Sequence, residues 1–156
     1  MRRVSVVNRT RGEQLGYSVG LANTWWLRTR GYLWRPPPRT GEGLLLTPCR
    51  AVHMFGMTFP LDVLHIDREG RVVAAYPRLR PWRRTAMERR AFHTLELPVG
   101  VLEESGTLPG DLVSWRPVEE VPASSLRAMV TAAPGASGPR RKRPSRKTTA
   151  EVGGIR

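Results

Sequence analysis

The stretch Cys49–Val73, CRAVHMFGMTFPLDVLHIDREGRVV, decides the fold. Its apolar residues fall into two short blocks, Ala51–Met57 and Leu61–Asp67, parted at Pro60. Blocks of this length, bounded by turn residues, read as strands. Arg68-Glu69-Gly70 reads as a hairpin turn with glycine supplying the positive φ, and Val72–Tyr76 as the return strand. His53, Asp62, His65 and Asp67 stand where only Val, Ile or Leu would be expected. Burying a polar group without a partner costs about 1–3 kcal/mol. Each of these four must therefore find hydrogen bonds or belong to a site.

Further strands are expected at 2–7, 15–21, 43–47, 91–97 and 112–115. Asn23-Thr24 supplies a helix N-cap signal, which predicts a helix over 24–35 ended by Pro36-Pro37-Pro38. A second short helix is expected near 99–104, stopped at Gly106. The 14 Pro and 15 Gly argue for many turns and against a helical bundle. These readings predict an α+β fold: a mostly antiparallel β sandwich or open barrel with one or two short helices, as one domain over residues 1–120. Residues 121–156 read as a basic tail rich in Pro, Ala and Gly, too poor in apolar area to offset its ordering entropy.

The net charge of +13 divides between these parts. From Thr131 onward there are seven Lys/Arg against one acid, Glu151, and residues 1–130 hold 19 basic and 12 acidic side chains. A single cysteine, Cys49, excludes a disulfide framework within the chain and gives no zinc pattern. No run approaches the ~20 apolar residues of a membrane span, and the N-terminus lacks a signal-peptide core, so a cytoplasmic protein is expected. Nucleophile elbow, P-loop and dinucleotide fingerprints are all missing. No cofactor and no metal are expected.

Several pieces taken together resemble the bacterial and archaeal family called domain of unknown function 192. They are Gly43–Leu46, HMFGMTFPLDVLHID (53–67), EGRVV (69–73), LRPWR (79–83), LELPVG (95–100) and GDLV (110–113). Their order and spacing span roughly Val19–Trp115. The resemblance implies a compact, mostly antiparallel β domain with one or two short helices. It implies no established activity. Many members of that family carry a secretion signal, and this chain departs from them in lacking one.

Four sets of residues could carry chemistry. Asp62 and Glu96 lie in apolar strands and, with His53, could serve as general acid and base; equally, each acid could fix strand register by accepting backbone hydrogen bonds. In the soft-ligand set Cys49, His53, Met54 and Met57, an extended strand turns Met54 away, and Cys49, His53 and Met57 could hold a soft ion such as Cu(I); equally, this could be a buried strand with one hydrogen-bonded histidine and two core methionines. Tyr76–Arg90 holds six Arg, one Glu, a Tyr and a Trp; Trp82 could stack on a flat ligand while Arg83 pairs with an anion. In the tail, Arg140, Arg141, Lys142, Arg143, Arg146 and Lys147 form a cationic run suited to nonspecific contact with nucleic acid or an anionic lipid surface, or simply to solubilising the chain. Three functions follow. The first is a non-catalytic binding or accessory module for a small anionic or polar ligand or a protein partner, using His53, Asp62, Trp82, Arg83 and Glu96. The second is nucleic-acid association through the tail and residues 78–90. The third is an enzyme using Asp62 or Glu96 with His53, which requires these side chains to share one pocket.

Overall fold

A computed structural model describes residues 1–118, so the cationic run at 140–147 lies outside the described residues. Seven strands and two helices follow one another as β1 (Arg3–Asn8), β2 (Glu13–Ala22), α1 (Trp25–Arg30), β3 (Glu42–Leu46), β4 (Leu61–Ile66), β5 (Val72–Leu79), β6 (His93–Leu97), α2 (Val101–Ser105) and β7 (Val113–Pro117). The strands form one sheet in the order β5-β4-β6-β3-β2-β1-β7. Every pairing is antiparallel except β2 with β3. A parallel pair needs a crossover connection, and the 23–41 segment carrying α1 and the three prolines supplies it.

The sheet curls until its two end strands meet. Val72 donates its N–H to the Asp111 carbonyl (2.9 Å), Gly110 to that of Val72 (2.8 Å) and Val113 to that of Gly70 (2.7 Å). Gly70 makes this closure with φ of 89°, and a Cβ there would run into the Val113 carbonyl. Only glycine fits that position. The result is the open barrel that the sequence predicts. Nearby, Asp111 accepts from Asn8 (3.0 Å), the Leu108 amide (3.1 Å) and the Arg11 guanidinium (2.6 Å). The Arg11 bond pulls the Asp111 pKa down to about 2.

Burial patterns along the strands show where a second layer lies. β1 alternates exposed or half-exposed with buried residues, whereas every residue of β4 is buried. Alternation marks a strand with one wet face, and continuous burial marks one covered on both. Inside the curl, Val6, Val19, Leu45, Leu64, Leu95 and Leu97 are fully buried, and Leu102 of α2 packs with them. On the outer face, Ala22, Leu44, Leu46 and Val63 pack under Tyr32, Met54 and Met57. Each fully buried side chain of this size contributes about 1.5–3 kcal/mol.

Three expectations need correction. Ala51–Met57 is not a strand; among these residues only His53 forms a bridge, with Arg84. Met54 and Met57, three apart rather than two, both point into the outer cluster, and Gly56 turns the chain with φ of 77°. The segment bonds instead to residues 82–85, through Met54 N–H to Arg83 O (2.7 Å), Trp82 N–H to Met54 O (2.9 Å) and Thr85 N–H to Val52 O (3.0 Å). The helix expected over 24–35 stops at Arg30, because Gly31 leaves helical geometry with φ of 47° and ψ of −128°. Thr24 caps its start by accepting from the Leu27 amide (3.4 Å). β5 also outlasts its predicted end and runs through Pro77, which an edge strand tolerates. The described residues fall in one compact unit, Met1–Glu119. Among them no helix is long and apolar enough to cross a membrane.

Candidate functional site

Strand register separates the two acids. Asp62 pairs with Leu97, and Glu96 with Val63. Directly paired residues share a face of the sheet, so Asp62 points with Leu97 into the barrel while Glu96 points with Val63 to the outer side. Asp62 is also fully occupied. One oxygen accepts from the Arg78 amide (2.8 Å), and the other from the amides of Gly100 (3.0 Å) and Leu102 (2.9 Å). It fastens the start of α2 and the irregular end of β5. The single pocket that the acid–base pairing of Asp62 with Glu96 requires is not formed, because the sheet lies between them.

Glu96 is in the opposite condition. It is 5% exposed, and its Oε2 is buried without a hydrogen-bond partner. Burial pushes its pKa up to about 7. It borders a cavity of about 270 Å³ between α1 and the 49–57 segment. Leu46 and Glu96 come from the sheet, Arg28, Arg30 and Tyr32 from α1 and its end, and Cys49, His53, Met54 and Met57 from the covering segment. Gly31 lies against the carboxyl, and a Cβ on it would meet Glu96 Oε2 in ordinary contact at 3.8 Å. Burial, helped by the nearby Glu96, pushes the pKa of the Tyr32 hydroxyl up and keeps it protonated, and burial also pushes the Cys49 thiol up. Arg28 is fixed by donating to the carbonyls of Asn23 (3.2 Å) and Thr47 (3.4 Å).

The structure therefore brings His53 and Glu96 to one cavity. His53 is exposed at its edge and stacks on Phe55, with ring centroids 5.0 Å apart and planes at 19°; Phe55 continues to Trp82 at 6.4 Å. Trp82 and Arg83 are attached to this edge, both exposed. Cys49, His53, Met54 and Met57 all line the same cavity, and the Cys49 thiol donates to the Ala51 carbonyl (3.2 Å). Among the described residues, no three His, Cys, Asp or Glu side chains are grouped to hold a metal ion.

His65 is a tie, not a site. Its Nδ1 meets Thr94 Oγ1 at 2.8 Å and its Nε2 meets Thr85 Oγ1 at 2.9 Å. Thr94 Oγ1 donates onward to the Cys49 carbonyl (3.2 Å), and Thr85 Oγ1 accepts from the Val52 amide (3.1 Å). With Nδ1 as donor and Nε2 as acceptor the network satisfies every member. Burial pulls the His65 pKa down to about 4 and keeps the ring neutral. The tie holds the cavity's covering segment onto β4 and β6. Sequence reasoning missed Arg28, Arg30, Gly31 and Tyr32 as cavity residues. The only signal was Gly31 inside a loosely helical run, which reads as a weak helix rather than an opening.

A family model for domain of unknown function 192, described as "Uncharacterized ACR", matches residues 6–115. The chain belongs to this family. Among its relatives in the family, a UPF0127 protein of Thermococcus kodakarensis is 33% identical over 129 residues, covering 78% of this chain and 82% of the relative. A UPF0127 protein of Thermococcus sibiricus is 32% identical over 119 residues, 74% of this chain and 77% of the relative. Two crystal structures share the fold with TM-scores of 0.61. One is a protein of unknown function from Novosphingobium aromaticivorans, 23% identical and covering 72% of this chain and 84% of that one. The other is a proposed transcription regulator from Sinorhizobium meliloti, 25% identical and covering 73% and 92%. The domain of unknown function 192 fold is thus the curled sheet with its outer layer, and Glu96 sits beneath that layer.

Proposed function

We propose that this member of the family is a non-catalytic binding module that takes a small polar or anionic ligand into the Glu96 cavity. The observation that carries the reading is Glu96, whose Oε2 is a buried carboxyl oxygen without a partner and whose side chain borders a cavity of about 270 Å³. Leaving such a group unpaired costs folding energy. A ligand that hydrogen-bonds to it recovers that energy on binding. The volume lies near the lower end of the roughly 300–1,000 Å³ typical of small-molecule sites. Leu46, Met54 and Met57 give the cavity apolar walls, and Arg28 and Arg30 give it a positive lining. At neutral pH a substantial share of Glu96 is protonated and can donate to an anion or carbonyl. A binding role is favoured over catalysis because Asp62 is spent on backbone amides and the Cys49 thiol is held protonated by burial.

The test is a thermal-shift screen of small carboxylates, phosphates, sugars and nucleotides on the full chain. A ligand at a hundred times its Kd stabilises by about 2.7 kcal/mol, which a melting curve resolves. At least one class should raise the Tm, and Glu96→Leu should abolish that rise. No stabilisation by any class, or an equal response from the variant, would remove the cavity from the account.

A further inference from the structure

The tryptophans are placed against expectation for so large an apolar residue. Trp25, Trp26, Trp34 and Trp82 are 68%, 63%, 84% and 69% exposed, and Trp115 alone packs against the interior. Trp34 and Trp82 also hold positive φ, 59° and 63°, a region that bulky side chains rarely adopt. Trp82 is not an isolated surface residue. It ends a ladder of flat rings, His53, Phe55 and Trp82, with centroids 5.0 and 6.4 Å apart and planes tilted by only 19° and 35°. The backbone fixes the ladder through the His53–Arg84 bridge and the two hydrogen bonds that Met54 makes with Trp82 and Arg83.

The stretch that carries Trp82 is strongly positive. Arg78, Arg80, Arg83, Arg84, Arg89 and Arg90 are all exposed, and Glu88 is the one acid of the 76–90 stretch. Among the described residues the single ion pair is Arg11–Asp111, which none of these arginines enters. Six exposed arginines of one stretch without acidic partners, with Arg83 and Arg84 next to Trp82 in the chain, and a row of exposed rings match a partner that is anionic and flat at once. We infer that the His53–Phe55–Trp82 ladder and its arginines form a docking surface for single-stranded nucleic acid. An unpaired base extends the stack at Trp82, and the flanking phosphates lie against Arg83 and Arg84. An anionic bilayer is the poorer match. It takes up a long amphipathic helix or a broad apolar face, whereas α1 has six residues and the exposed rings form a single row of three set among arginines. This inference does not depend on the Glu96 reading.

The experiment measures the affinity of the full chain for a fluorescein-labelled 12-nucleotide oligo-dT by anisotropy, with tryptophan quenching as a second signal. Trp82→Ala should weaken binding about ten-fold or more, the scale of one lost base stack. Trp82→Phe should stay within about three-fold of the parent, because it keeps a flat ring. Arg83→Ala with Arg84→Ala should flatten the log–log salt slope by about 1.4, at about 0.7 per phosphate contact on a single strand. Arg9→Ala, which removes a charge elsewhere, should leave affinity within about two-fold. Phe55→Ala, also exposed, provides an independent variant should Trp82→Ala melt early. The inference fails if the oligonucleotide does not bind, or if the alanine variants bind as tightly as the parent, which would leave only charge attraction. It also fails if inorganic polyphosphate or phosphatidylglycerol vesicles displace the oligonucleotide as well as unlabelled oligo-dT does.

Discussion

Replacing Glu96 by glutamine should stabilise the protein at pH 8 and leave it nearly unchanged at pH 4.5. The carboxyl titrates at 4.5 in a solvated chain and at about 7 in the folded one. The folded state therefore holds its proton more tightly, and ionising it works against folding. The sign follows directly: stability contributed by the neutral acid is intact below pH 4.5 and is lost as pH rises toward 7. The gap of about 2.5 pH units corresponds to about 3 kcal/mol. Linkage places the penalty below ~1 kcal/mol at pH 4.5, near ~1 at pH 5.5 and near ~3 at pH 8. Glutamine has the same shape and no charge, so the variant escapes the penalty. His65 runs the other way in an overlapping window. Its folded pKa of about 4 against 6.5 means that stability is present above 6.5 and is lost as pH falls toward 4. The parent's own pH curve mixes the two slopes, so the quantity to plot is variant minus parent. Urea unfolding of both proteins from pH 4.5 to 8, followed by tryptophan fluorescence, gives that difference. It should climb with pH and level off above 7. A difference that is flat with pH, or a variant less stable at every pH, would mean that the carboxylate has a partner in solution, and the case for an open ligand cavity would fall with it.

Asp62→Ala should cost about 3–5 kcal/mol, since three backbone amides lose one charged acceptor; urea midpoints measure it, and oligonucleotide or small-ligand binding at saturating stability should not change. His65→Leu should cost about 2–3 kcal/mol by stranding the Thr85 and Thr94 hydroxyls, and hydrogen exchange at Val52 and Cys49 should accelerate more than at Leu64 or Leu95. Asp111→Asn should flatten the acid limb of the stability curve: the parent's contribution is complete above pH 3.8 and lost as pH falls toward 2, a window that near-ultraviolet circular dichroism at several acid pH values resolves.

The sheet was legible because its signals are local. Gly70 after a charged pair announces a hairpin, and Leu61–Asp67 and Ala91–Leu97 carry enough branched and aliphatic residues to be strands. Ala51–Met57 misled because a short apolar run looks alike whether it pairs in a ladder or drapes over one; only the three-residue spacing of Met54 and Met57 separates the two. For the candidate site, the oddity of His53, Asp62 and Glu96 was visible, but not their sorting. Which face an acid occupies depends on one residue of register, and register across β4 and β6 is set by tertiary packing. The same ambiguity made His65 resemble a site residue, though Thr85 and Thr94, 20 and 29 positions away, satisfy it.

The meeting of β5 and β7 leaves each with an outer rim along only part of its length, and both rims are blunted. Pro77 and Arg78 interrupt one, and Arg116 and Pro117 the other. Proline offers no amide to a neighbour, and facing guanidinium groups repel. A second copy approaching edge-on meets rims broken by proline and charge, which works against strand addition.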